Sequence, residues 1–174
     1  MESAKAVDLA LTPRSRLDII NVTEALTRQF GDLLSNYRKA LYYSYHTTAG
    51  YFDRSFCARL NHDCDSLRAY VESFQNLFPP NADYQHDQME QRTELSEEQR
   101  HQEPRNADSH LTFMGSGLSN CVTYAPDTPV YFIDLDGVCD ETVRERHTTV
   151  IGFNSEEVAT REAGDEEPFS ALAF

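Results

Sequence analysis

The sequence predicts an α+β fold, with an antiparallel sheet or sandwich as core and two helices packed on it. Three observations predict it. Short β-rich runs recur between Pro, Asp and Gly turn signals, two longer stretches set apolar residues at helical spacing, and hydrophobic residues make up 40% of the 174-residue chain. That length suits one domain with a full core. The pattern divides into a single domain over residues 1–153, interrupted by an acidic insertion at 87–106, and an acidic tail over 154–174.

Residues 6–11 form a short apolar strand, ended by Pro13. Asn21 is an N-cap with Glu24 three residues on, and Val22, Leu26, Phe30, Leu33, Leu34 and Tyr37 then mark one helix of about four turns. Residues 39–45, rich in Tyr and Leu, read as a strand running into a turn at His46-Thr47-Thr48-Ala49-Gly50. A second helix begins at Asp63 or Asp65, buries Leu67, Tyr70, Val71, Phe74, Leu77 and Phe78, and stops at Pro79-Pro80. Residues 88–104 have almost no apolar side chains and are expected as a mobile loop or a solvated helix. Further strands are expected over 120–124, 129–135 and 144–153.

The formal net charge is −14, which repels phosphate backbones and anionic lipid surfaces and predicts no nucleic-acid and no membrane partner. Six acids against three Arg in 87–106, and six against one in 154–174, place more than half of that charge outside the main body of the domain. No apolar run approaches the ~20 residues of a membrane span, and the start lacks a signal sequence, so a cytoplasmic protein is expected. Cys57, Cys64, Cys121 and Cys139 form no C-x-x-C pair and read as reduced thiols.

The run Val130-Tyr131-Phe132-Ile133-Asp134-Leu135-Asp136-Gly137-Val138 is similar to the first motif of haloacid-dehalogenase-type phosphatases, where two aspartates at a strand end serve as nucleophile and acid/base. That chemistry also needs a downstream Lys and a second acidic pair. Only 37 residues follow Gly137, and the only lysines are Lys5 and Lys39. The run is better read as an edge of the sheet ending in a D-G turn.

Six histidines are present, none in an H-x-x-x-H pair, so spacing gives no metal signal by itself. His46, His86 and His110 each close an apolar element beside small or hydroxyl residues, where a scaffold can aim side chains into a shared cleft. In order along the chain stand His46-Thr47-Thr48-Ala49-Gly50, Asn61-His62-Asp63, a helix ending in Pro, Tyr84-x-His86, Asn106-Ala107-Asp108-Ser109-His110-Leu111 and Asp134-x-Asp136-Gly137. Over residues 15–153 this order resembles the YjbQ-like family, also called uncharacterised protein family 0047 or secondary thiamine-phosphate synthases. The resemblance implies an antiparallel jelly-roll-like β-sandwich with accessory helices, a homotrimer, and a cleft lined by the recurring histidines.

The chain departs from the family pattern at several points. Residues 51–60 are inserted before Asn61-His62-Asp63, and Thr128-Pro129-Val130-Tyr131-Phe132 replaces a Trp-containing run. Val138 stands where the family has Pro, with Arg144 and Arg146 several residues later.

Convergence of His46, His86 and His110 would make a site for a divalent metal such as Zn²⁺, with Asp63 or Asp108 as general base or as the group that orients an imidazole. Arg144 and Arg146, two apart, would hold a phosphate on one strand face. The sequence thus points to a metal-assisted enzyme acting on a phosphorylated small molecule. A non-catalytic trimer that binds a ligand, a metal or a protein partner is the alternative, and a haloacid-dehalogenase-like phosphatase is the third reading.

Overall fold

A computed structural model describes residues 3–139 and 142–154. Its largest unit is a four-stranded antiparallel sheet in the order β1 (Lys5–Leu11), β9 (Arg146–Phe153), β3 (Lys39–Ser44), β5 (Cys121–Tyr124). Alternation sets its inner face: Thr148 and Val150 of β9 are wholly buried while His147 between β9's inward residues is exposed. Val150 lies between Val7 of β1 and Tyr42 of β3. Tyr51 tilts onto Tyr42 with ring centroids 5.9 Å apart and meets Phe132 edge-on at 5.4 Å, and its hydroxyl bonds Thr148.

A second antiparallel sheet has the order β2 (Asp18–Asn21), β6 (Tyr131–Asp134), β4 (Ala49–Gly50). The 130–138 run therefore begins in a central strand, not at an edge as its sequence suggested. Residues 49–50, expected in a turn, pair with Asp134 and Ile133. A Cβ on Gly50 would meet the Ser119 carbonyl oxygen at 2.5 Å, so this strand needs glycine for its close approach. A two-stranded hairpin, β7 (Val138–Cys139) and β8 (Thr142–Val143), precedes β9.

Five helices are described rather than the expected two: α1 (Val22–Phe30), α2 (Arg54–Arg59), α3 (Cys64–Leu77), α4 (Glu97–Gln102) and α5 (Ala107–Ser116). Asn21 caps α1 by accepting from the Glu24 N–H, but the helix ends well before Tyr37 because Gly31 takes the left-handed φ of 64°. Asp63 caps α3, and Leu67 and Val71 form its buried stripe. The insertion contains one 3₁₀ turn (Met89–Gln91), a second (Gln85–Asp87) leading into it, and α4, which buries no residue and carries a capping box between Ser96 and Gln99. It matches the solvated-helix expectation. No described helix is long and apolar enough to cross a membrane. Except for Asn154, the tail over 154–174 lies outside the described residues.

Candidate functional site

At the end of β6 the chain turns through Asp134, Leu135, Asp136 and Gly137, all buried. Asp134 lies directly opposite Asp18 of β2, also buried, an arrangement that needs compensation. Arg146, the first residue of β9, supplies it. Its Nε and Nη2 bond the two carboxylate oxygens of Asp134 at 2.7 and 2.9 Å, and Nη2 also donates to the Asp136 carbonyl at 3.0 Å. Asp18 takes the Arg14 and Ile19 backbone N–H groups instead. A Cβ on Gly137 would stand 2.4 Å from Pro13 Cβ, so the turn admits glycine only.

The second aspartate of the turn faces α5. Asp136 Oδ2 accepts from Asn106 Nδ2 at 2.7 Å and pairs with Arg144 Nη1 at 2.9 Å. In the first turn of α5, Asp108 is held by Arg16 Nη2 at 2.7 and 3.0 Å, and Ser109 donates to the Leu135 carbonyl at 2.8 Å. Among the described residues, three buried polar atoms at this corner lack a hydrogen-bond partner: Asn106 Oδ1, Asp136 Oδ1 and Arg16 Nε. Unsatisfied groups of this kind are costly to bury and mark a place where a ligand or water completes the bonding.

Two imidazoles stand at the mouth of the corner. His86 and His110 have ring centroids 5.2 Å apart. Asp87 Oδ1 lies 2.9 Å from His86 Nδ1 and also accepts the Ala107 N–H at 3.1 Å, tying the turn to the start of α5. A carboxylate only accepts, so His86 donates from Nδ1 and the neutral ring keeps its lone pair on Nε2. Burial, reinforced by the neighbouring His86, pushes the His110 pKa below its ordinary value, against the pull of Asp136, Glu103 and Asp87.

His46 is disposed differently. Its Nε2 accepts the His147 backbone N–H at 3.0 Å and its Nδ1 lies 3.5 Å from Arg146 Nη1, so both ring nitrogens face donors. Burial first, then Arg146, lowers its pKa.

The corner thus gathers most of the residues singled out in the sequence, but not in the roles expected. Asp108 is sealed by Arg16. Asp63 is exposed, and its side-chain bond is the cap of α3 to Ser66. Arg144 and Arg146 each take one aspartate of the turn, yet only Arg144, with 28% of its side chain exposed against 6% for Arg146, can reach a ligand. His86 and His110 pair while His46 turns to Arg146. Among the described residues no group of three His, Cys, Asp or Glu side chains is placed to hold a metal ion, so the residues do not fit a three-imidazole centre. Sequence reasoning missed Asp87 and Arg16, and gave Asn106 a place in a motif but no role. The adjacency of His86 and Asp87 was the available signal for the first; Arg16, far from Asp108 along the chain, offered none.

No protein-family model and no curated protein matches the sequence. Among solved structures, the fold is similar to a YbjQ-like protein of unknown function from Sulfolobus solfataricus P2, at a TM-score of 0.57 and 14% identity over 88% of this chain and 99% of that one. A hypothetical protein from Aeropyrum pernix K1 matches with TM-score 0.57 and 16% identity over 87% and 99%. An uncharacterised conserved protein of the YjbQ family (uncharacterised protein family 0047) from Clostridium acetobutylicum matches with TM-score 0.51 and 18% identity over 83% and 97%. The α+β fold with antiparallel sheets is the fold of these YjbQ-like proteins, shared at a sequence identity that carries no activity with it.

Proposed function

We propose that the chain is a divergent YjbQ-like protein whose α5 corner is an acid–base site acting on a phosphorylated small molecule. The observation that carries this reading is the Asp87–His86–His110 group beside two partly exposed arginines. Asp87 fixes the His86 ring so that Nε2 points its lone pair outward as a base. His110 lies with its ring centroid 5.2 Å from that of His86, so a ligand at this mouth meets two imidazoles able to take or give a proton. Arg144 and Arg16, 28% and 31% exposed, supply charge-assisted hydrogen bonds to an anionic oxygen. Thiamine-phosphate formation, the activity the resemblance attaches to the family, is one member of this reaction class. The reading includes a jelly-roll-like sandwich assembled as a homotrimer, three copies of the 19.9 kDa chain, which light scattering would measure.

The test is ³¹P NMR of the full chain with phosphorylated and pyrophosphorylated small molecules, thiamine phosphate precursors among them. Turnover of at least one is expected, falling about 100-fold or more in His86→Gln and in Asp87→Asn. Binding without turnover across the panel would replace this reading with that of a non-catalytic binding protein.

A further inference from the structure

A cleft of about 690 Å³ separates the insertion from the β7–β8 hairpin. Its size is that of small-molecule sites, which span roughly 300–1,000 Å³. Glu90, Glu97, Arg100, His101 and Arg105 line it from the insertion, and Arg144 from the opposite side. Glu97, Arg100 and His101 are spaced so that they share one face of α4. The two walls are joined behind the cleft: Arg105 is followed by Asn106, which bonds Asp136, which holds Arg144.

Charge decides what such a cleft takes. Glu103, also on the lining, is 3.6 Å from Arg92, and Arg144 is already partnered by Asp136. Arg100 and Arg105 remain opposite in sign to Glu90 and Glu97, and none of these four is in an ion pair among the described residues. A lining of one sign would concentrate a simple anion or cation; equal numbers of both favour a ligand that carries both.

We propose that this cleft binds a small amphoteric molecule, one bearing a phosphate or carboxylate together with an ammonium group. The anionic group sits on Arg100 and Arg105, with Arg144 on the opposite wall of the same cleft, and the ammonium on Glu90 and Glu97. Through Arg144 the ligand reaches the α5 corner, so the proposal deepens the reading above by naming a substrate class, and rests on that reading only for the reactive end of the ligand.

The experiment is an amide-resolved NMR titration of the full chain with phosphoethanolamine, inorganic phosphate and ethanolamine. Phosphoethanolamine is expected to shift Arg100, His101, Arg105 and Thr142, with a Kd at least about tenfold below that of either single-charge probe. The Glu97→Gln/Arg105→Gln double variant should weaken it about tenfold or more with the rest of the spectrum unchanged, and His86→Gln should leave it intact. Equal affinity for inorganic phosphate, no shifts at these amides, or full affinity in the double variant overturns the proposal. Shifts confined to the corner and lost in His86→Gln would sink the cleft and keep the acid–base site. Binding at the cleft with no turnover in the ³¹P panel would do the reverse.

Discussion

On the inner face of the four-stranded sheet, buried side chains meet their own kind: Leu9, Tyr42, Val122 and Val150 pack into one apolar cluster. At the α5 corner, Asp18, Asp108, Asp134, Asp136 and Arg146 are as fully buried as those core residues. Burial of an apolar side chain is favourable whatever its neighbour, whereas burial of a charge is tolerable only with the right neighbour at hydrogen-bond distance. The sheet therefore tolerates repacking in many ways, and the corner is defined by pairs that fail together.

The largest expected effect breaks one such pair. Arg146→Ala leaves Asp134 buried without its cation and should cost about 3–5 kcal/mol, read from urea unfolding. Replacing both partners, as Arg146→Met with Asp134→Leu, should recover most of that loss while leaving the corner without its clamp; failure of the double variant to recover would show that the pair's geometry, not charge compensation, carries the stability. Gly137→Ala drives a methyl into Pro13 and the Asp134 carboxylate, and a loss of about 1–3 kcal/mol is expected. Asp63→Ala removes only a helix cap, a smaller loss than either of these, and should leave binding at the corner unchanged. A change in binding with Asp63→Ala would restore that residue to the site.

The mildest test is pH. His46 and His110 are both held below their ordinary pKa, so the unfolded chain binds more protons than the folded one on the acid side of neutrality. The stabilisation this represents is present above the unfolded value of about 6.5 and is lost as pH falls through the folded values. Urea midpoints should drop between about pH 7.5 and about pH 5, and His46→Gln, which can still accept the His147 N–H, should flatten the slope. A midpoint indifferent to pH in the parent chain contradicts the donor-facing geometry of His46.

The same contrast explains what the sequence disclosed. Strands such as β1, β3, β5 and β9 and the stripe of α3 announce themselves because an apolar face repeats at a fixed period. Helix α5 does not, since its buried face is Ala107, Asp108, Ser109, Thr112 and Ser116, mostly polar residues that show no apolar period. Helix α2 is six residues long and buries only Cys57, too little to leave a pattern. The order of short motifs pointed to the fold that the solved YjbQ-like structures share, and most of the residues it marked lie at the α5 corner. Roles within it depend on partners far apart in sequence, as Arg16 and Asp108 are, and no local pattern encodes such a pairing.

The pairing of β1 with β9 joins Lys5 to Gly152 at one end and Leu11 to Arg146 at the other. Among the described strands the first is thus completed by the last, and β3 likewise waits for β9 on one side. Until β9 is in place, β1 and β3 each lack the neighbour that pairs them, and their open edges can pair with other chains. Contacts of such long sequence separation slow folding, and this chain's exposure to aggregation is therefore greatest just before the strand that carries Arg146 emerges.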